Sequence, residues 1–369
     1  MIDFVVIGGG IAGVSAAAHL APHGSVTLLE AESSLAYHTT GRSAALFIVN
    51  YGSAASRPLA VASQSFLEKP PEGSTDGPLL SDRGLMWIAN EEQLPSINAM
   101  AATGETHQTG ARLLTPSEVL DLVPVLKPGS IAGGLLEPAS DIDVAALHQA
   151  FVRIARRNGA EIVTGARVAD IAHRQGGWVV TAGDQPIHCR VVVNASGAWG
   201  DHVATMAGAR HVGLQPMRRT AFMVKGDDSY SEWPMVVDGA ERFYFKPDGV
   251  QLLCSLSEEV PDIASDARPR MEDVALAIDR INETTTLGIR SVHSQWTGLR
   301  TFAPDRDLVI GEDPETPGFF WLVGQGGTGV QTSPGYGALL ANLVTGTDLA
   351  APLSDAGVDS SLTDPARFR

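Results

Sequence analysis

The apolar positions at the start of the chain fall into two short runs separated by glycines and small residues. Phe4-Val5-Val6-Ile7 enters Gly8-Gly9-Gly10-Ile11-Ala12-Gly13, the stretch Val14 to Leu20 continues in small and apolar residues, and Val26-Thr27-Leu28-Leu29 ends in Glu30. Four-residue apolar runs bounded by glycine read as buried strands, and the small-residue stretch between them reads as a helix packed against both. The pattern is strand, tight turn, helix, strand, acid, which predicts a βαβ unit of a parallel sheet.

Further along, the spacing predicts a helix over 54–68, with Leu59, Ala62, Phe66 and Leu67 near one face, closed by the turn-rich Pro70 to Ser74. Short strands are expected at Leu79-Leu80 and Leu85 to Ile88, then helical pieces joined by turns over 91–126, one starting at Thr115-Pro116-Ser117-Glu118. The clearest helix is 144–158: Asp143 can cap it, Val144, Leu147, Phe151 and Ile154 make an apolar stripe, and Gly159 can end it. Strands follow at Ile162-Val163, Val168 to Ile171, Trp178 to Thr181 and Ile187 to Val193, with Gly176-Gly177 as a hairpin signal. Residues 214 to 300 read as β structure interrupted by a helix at about 271–283. The C-terminal part returns to α/β: strands at 308–311 and 319–323, a glycine-rich turn Gly324 to Gly329, and a helix from Pro334 to about Gly346. The predicted fold class is α/β, a Rossmann-like nucleotide-binding domain of discontinuous segments (1–78, 140–213 and 298–369) with a sheet-rich substrate-binding domain (79–139 and 214–297).

The opening turn carries chemistry. Gly8 permits the sharp turn, Gly10 lets backbone approach a pyrophosphate, and Gly13 lets helix and strand pack closely. The phosphates would lie at the helix N-terminus, where free N–H groups and the helix dipole favour an anion, and Glu30 is placed to accept hydrogen bonds from a ribose. This unit alone does not choose between FAD and a nicotinamide dinucleotide. His38-Thr39-Thr40-Gly41-Arg42-Ser43-Ala44-Ala45 supplies hydroxyls, a turn and one Arg, which suit a phosphate or a flavin edge; the bland alternative is a solvated loop. At 369 residues, 44% hydrophobic and 18% charged, the chain has the composition of a globular protein with room for two cores. No apolar run reaches the roughly twenty residues needed to cross a bilayer. With the motif beginning at residue 2, a cytoplasmic location is expected. The net charge of −16 argues against nucleic-acid and anionic-lipid partners. Two cysteines, Cys189 and Cys254, are too few for a disulfide framework or a thiolate metal site, and no metal is expected.

Glycine-rich segments at both ends of one chain suit a cofactor gripped from both ends. Together with Val193 to Trp199 and Trp296-Thr297-Gly298-Leu299-Arg300, they resemble the D-amino-acid oxidase/glycine oxidase family of flavoproteins, in the family's order and over nearly the whole chain. Within it, the bacterial D-arginine dehydrogenases are similar through Gly41 to Ala45, Gln215 to Arg219, Phe243 to Asp248 and Gly298 to Arg300. The resemblance implies non-covalent FAD, since Gly298-Leu299-Arg300-Thr301 lacks the Cys that tethers flavin in the sarcosine-oxidase branch. The implied cofactor contacts are Gly8, Gly10, Ile11, Ala12, Gly13, Glu30, Ala31, Thr39, Thr40, Gly41, Arg42, Ser43, Ala44, Ala45, Val168, Ala195, Gly197, Trp199, Gly298, Arg300, Gly326, Gly327, Thr328, Gly329, Val330, Gln331 and Thr332. The implied reaction is oxidative deamination of a D-amino acid, with a hydride passing from the α-carbon to flavin N5 and the imino acid hydrolysing to a 2-oxo acid.

Arg300 and Arg219 match the family's carboxylate-binding positions, where a guanidinium fork fixes both oxygens, and Tyr244 or Tyr51 would share that anion or hold the amine. Leu46, Leu85, Gly298 and Gly327 are the expected substrate-pocket positions. Leu46 stands where the D-arginine enzymes carry His, and Leu85 where they carry the Glu that meets the substrate's guanidinium. A buried Leu cannot pair a cation, so an apolar side chain is the expected preference unless Glu241 or Asp238 reaches the pocket. Alternatives on the same fold are a secondary amine of the sarcosine or proline type, an L-2-hydroxy acid, or a non-catalytic FAD-binding redox sensor. Oxygen and a quinone both remain open as electron acceptor.

Overall fold

A computed structural model describes residues 1–106, 110–174 and 176–369. The opening pattern becomes a βαβ unit: β1 (Ile2–Ile7) lies parallel to β2 (Val26–Leu29), Phe4 opposite Val26 and Ile7 opposite Leu29, joined by α1 (Ile11–Leu20). Every residue of α1 but His19 is buried, because small side chains on all its faces let the sheet and the helices Val144–Arg157 and Ser333–Thr345 approach together. The parallel strands run in the order Phe319–Val323, Gln185–Asn194, β1, β2, Glu161–Val163. An antiparallel hairpin, Val168–Arg174 with Gly177–Ala182, continues from the first half of Gln185–Asn194. The carboxyl ends of the parallel strands open on one side, where ligands of such sheets bind.

Over that side stands a nine-stranded mixed sheet. Its longest pair is Gln215–Lys225 against Ser294–Phe302, antiparallel from Gln215 opposite Phe302 to Met223 opposite Ser294. The strand period of two divides its side chains between faces. Met86, Ile88, Phe222 and Phe245 enter a core with the helix Met271–Thr284, while Leu85, Trp87, Ala221, Val237 and Tyr244 lie on the other face, in a cluster that Ala44 and Ile48 join. A three-stranded sheet, in the order Leu46–Phe47, Ser140–Ile142, Leu80–Asp82, connects the two regions. The strand Ser294–Phe302 runs through residue 298, so one continuous element spans the expected division there.

The helix at 144 begins as its cap requires, the Asp143 carboxylate accepting from Ala146 N–H at 2.8 Å. Thr115 and Glu118 form a capping box at the helix Pro116–Leu122. The stretch 91–126 holds the helices Leu94–Thr106 and Pro116–Leu122, but Arg112–Leu114 is a strand on Gly133–Glu137, and 107–109 lie outside the described residues. Among the described residues no helix is long and apolar enough to cross a membrane.

Candidate active site

One cavity of about 370 Å³ runs from the turn after β1 to the space under the nine-stranded sheet. At its nucleotide end Gly8 takes φ +112°, and a Cβ there would meet the Ala195 carbonyl at 2.5 Å. A Cβ on Gly13 would overlap the Gly8 carbonyl, so that glycine serves close packing and stands behind the cavity wall. Gly10 faces open space, with only Thr40 Oγ1 at 3.2 Å from an added Cβ. The Glu30 carboxylate accepts from Gly9 N–H at 2.6 Å through one oxygen and from Glu32 N–H at 2.8 Å through the other, which locks it at the rim with lone pairs to spare. α1 has no cap from its own N-cap residue; Thr40 Oγ1, from thirty residues on, accepts from Ile11 N–H at 3.0 Å. The buried His148 ring meets the Gly9 carbonyl at 3.0 Å, and burial lowers its pKa. Ala31, Val168, Ala195, Gly197 and Trp199 line this end.

The segment 38–45 is clamped onto Ser294–Phe302. Thr39 Oγ1 donates to the Leu299 carbonyl at 3.0 Å, and Trp296 Nε1 donates to the Arg42 carbonyl at 2.9 Å. Arg42 borders the cavity, but its guanidinium is committed to protein: Asp266 at 2.5 Å and the carbonyls of Ala267 and Thr297 at 3.1 and 2.8 Å. It acts as a clamp rather than a free anion site. Gly41 packs behind the wall against the Ala36 carbonyl, while Ser43, Ala44 and Ala45 face the cavity. At the C-terminal turn, Gly326, Gly327, Gly329, Val330 and Gln331 line it just ahead of the helix Ser333–Thr345. Among the described residues no acceptor meets the N–H groups of Gly329, Val330 and Gln331. Thr328 and Thr332 stand behind this turn, their hydroxyls donating to the carbonyls of Gln325 and Thr328. The cavity thus offers an open glycine turn and backbone donors at two helix N-termini, joined by a trough with room for an extended molecule. These residues fit a dinucleotide that bears a flavin.

At the far end Arg300, Arg219, Tyr51 and Tyr244 converge. A Cβ at Gly327 would come within 3.0 Å of both Arg300 Nη1 and the Tyr51 hydroxyl, so these groups meet over that glycine. Arg300 is half-buried and faces the cavity; among the described residues nothing accepts a hydrogen bond from its guanidinium. Burial works against its charge, but Tyr51, Tyr244, Glu259 and Glu241 prevail and hold its pKa above the ordinary value. Arg219 is committed in part, Nε donating to the Glu258 carbonyl at 2.9 Å and Nη2 to Glu259 at 3.3 Å. Burial, then the charge of Arg300, pull its pKa down. The Tyr51 and Tyr244 hydroxyls have no protein partner among the described residues. Leu46, Leu85, Ala221, Met235 and Val237 form the apolar wall, and Gly298 leaves the floor open.

Of the two acids considered as counter-charges, Asp238 is spent on Gln93 and Arg242, whereas Glu241 lines the cavity at an exposed position with φ +52°. The sequence reading missed Trp87, which shares the cavity face with Leu85 two residues earlier and whose indole N–H donates to Glu137 at 2.9 Å. It also missed the supports of the Tyr51 segment. Gln331 Oε1 accepts from Ile48 N–H at 2.9 Å, and Asn50 donates to Glu137 at 2.8 Å. Strand alternation signals Trp87; the long-range supports have no local signal. Cys189 and Cys254 are buried and neither borders the cavity.

Residues 3–343 match the family described as DAO, FAD dependent oxidoreductase. The chain is 26% identical over 364 residues to mitochondrial sarcosine dehydrogenase of Mus musculus, covering 93% of this chain and 39% of that protein. It is 30% identical over 225 residues to the hydrogen cyanide synthase subunit HcnC of Pseudomonas aeruginosa, covering 58% of this chain and 51% of that one. The chain therefore spans about two-fifths to one half of the length of these curated relatives. Among solved structures it is similar in fold to glycine oxidase from Geobacillus kaustophilus, with TM-score 0.84, 22% identity, and 95% and 97% of the two chains covered. L-proline dehydrogenase from P.horikoshii gives TM-score 0.86, 21% identity, and 99% and 97% covered. With the glycine turns, the backbone donors at two helix N-termini and the cavity between the two sheets, these matches place the chain in the DAO family of FAD-dependent oxidoreductases.

Proposed function

We propose that this protein oxidises D-amino acids with apolar side chains to imino acids, which hydrolyse to 2-oxo acids. Bound FAD supplies the two-electron acceptor for the α-carbon's hydride; the protein's own residues hold the substrate. Arg300 binds the substrate carboxylate through its fork, Arg219 adds a second charge, and the Tyr51 and Tyr244 hydroxyls share the anion or hold the amine. Leu46, Leu85 and Trp87 exclude water around the side chain and give it apolar surface, worth about 0.8 kcal/mol per buried methylene. In this reading residues 1–78, 140–213 and 298–369 hold the cofactor, non-covalently, and the rest of the chain covers the substrate.

The observation that carries the proposal is the half-buried Arg300 guanidinium, aimed into the cavity with no acceptor among the described residues. A charge so placed is costly unless a ligand completes its hydrogen bonds. The test is anaerobic bleaching of the purified flavoprotein with a panel of D- and L-amino acids and N-methyl amino acids. Bleaching by D-Leu, D-Met or D-Phe ahead of the other compounds supports the reading, and bleaching only by L-amino acids refutes it. A second reading, a secondary amine, draws on relatives named sarcosine dehydrogenase and 4-methylaminobutanoate oxidase; bleaching by sarcosine alone would establish it.

A further inference from the structure

Arg219 shares the cavity with Arg300 but is not free in the same way. Glu259 lies between it and Arg306, one carboxylate oxygen accepting from Arg219 Nη2 at 3.3 Å and the other from Arg306 Nη2 at 2.7 Å. Side-chain exposure rises from 10% at Arg219 through 31% at Glu259 to 52% at Arg306, so a line of alternating charge runs from the cavity wall to the surface. Its outer end is fixed. The Arg306 guanidinium lies 3.9 Å from the centre of the Phe302 ring, and its amide N–H donates to the Ala303 carbonyl at 2.9 Å. Its φ is +70°, a conformation that costs a residue with a side chain about 1–2 kcal/mol, so the surrounding turn holds it there. The inner end is fixed too: Arg219 Nε is taken by the Glu258 carbonyl, leaving only the outer nitrogens to turn toward a ligand.

We propose that Arg306 is a positioning residue for carboxylate recognition: it draws Glu259 outward, so that Arg219 meets the carboxylate of the substrate rather than one of the protein's own. A carboxylate and a guanidinium pair best through two parallel bonds. Glu259 is held off that geometry because its second oxygen makes the shorter bond to Arg306. Without Arg306 that oxygen has Arg219 as its nearest cation, and Glu259 becomes a tethered competitor at high effective concentration. Glu258 is held apart from this exchange: its side chain accepts from Thr220 N–H at 2.5 Å, and it meets Arg219 through its main-chain carbonyl, at Nε. The inference rests on the reading of Arg300 and Arg219 as a carboxylate clamp.

The test is a double-mutant cycle on the FAD-loaded protein, with benzoate as the probe and the shift in flavin absorbance as the readout. Arg306→Gly removes the guanidinium and suits the left-handed backbone, so the turn survives. It should weaken benzoate binding by roughly threefold or more, the range of a partly exposed ion pair. In a Glu259→Gln background the same substitution should change the Kd by less than about 1.5-fold, because no competing carboxylate remains to be released. With an amino-acid substrate the change should fall on KM and spare kcat. Unaltered binding in Arg306→Gly, or equal weakening with and without Glu259, would overturn the proposal; the latter would mean that Arg306 acts by packing on Phe302. Arg300→Lys is measured beside the cycle. If it too leaves benzoate binding intact, the carboxylate clamp fails and the inference with it; if it abolishes binding while the cycle shows no coupling, the inference alone fails.

Discussion

Replacing Arg300 with Lys keeps a positive charge in the cavity and removes the planar fork. The expected loss follows from what this side chain does in the absence of ligand. No protein group accepts from its guanidinium among the described residues, so its bonding capacity is reserved for what binds in the cavity. A hydrogen bond to a charged group is worth roughly 1.5–3 kcal/mol, and ~1.4 kcal/mol is a factor of ten in an equilibrium constant. Lys recovers the charge but only one directed bond, so KM for an amino acid should rise by about ten- to a hundredfold. Because no carboxylate or carbonyl loses a partner, the thermal midpoint should hardly move. Arg42→Lys is the contrasting control: it breaks bonds to Asp266 and two carbonyls, and should lower the midpoint. Steady-state kinetics with the best substrate of the bleaching panel, together with thermal melts, decide the matter. A KM within about twofold of the parent protein's, where the bond-loss estimate requires tenfold, would refute the clamp.

Three other outcomes are expected. Gly10→Val should fold but purify without flavin, since an added Cβ meets only Thr40 in the free protein and would project where the pyrophosphate passes; FAD retained at the parent level would show the turn to be merely structural. Leu85→Glu should raise kcat/KM for D-Arg relative to D-Leu, while lowering the melting midpoint because Glu137 lies directly opposite in the ladder; an unchanged substrate ratio would remove Leu85 from the side-chain wall. Burial raises the Glu258 carboxyl's pKa, against the hydrogen bonds of Thr220 and the charge of Arg219. Its stabilising contribution is therefore complete below the unfolded-state value of about 4.3 and is lost as pH rises through the folded value. Melts from mildly acidic to neutral pH should show Glu258→Gln gaining on the parent as pH rises, and a constant gap would contradict the raised pKa.

The first βαβ unit was legible because everything it needs is local: two apolar runs, glycines at the turn, small residues on the helix. The helix at 144 was legible for the same reason, with Asp143 and the stripe through Leu147 and Phe151 all within two turns. The strands at 133–137 and 140–142 were not, since Gly133-Gly134 and Pro138 break any alternation and their partners lie elsewhere in the chain. The same division runs through the site. Arg42, Arg219 and Arg300 all stand in motifs, and nothing within a few residues of each tells which one waits for a ligand. What separates them is distance along the chain. Arg42 is consumed by Asp266, Ala267 and Thr297, more than 220 residues away, and Arg219 is half-consumed by Glu258 and Glu259, about 40 residues on. Among the described residues Arg300 has no such partner. A guanidinium's function is set by how many of its five donors the fold leaves over, and that remainder depends on tertiary contacts that no local pattern encodes. The motif nominates the arginine, and its unspent hydrogen bonds select the one we propose for the substrate's carboxylate.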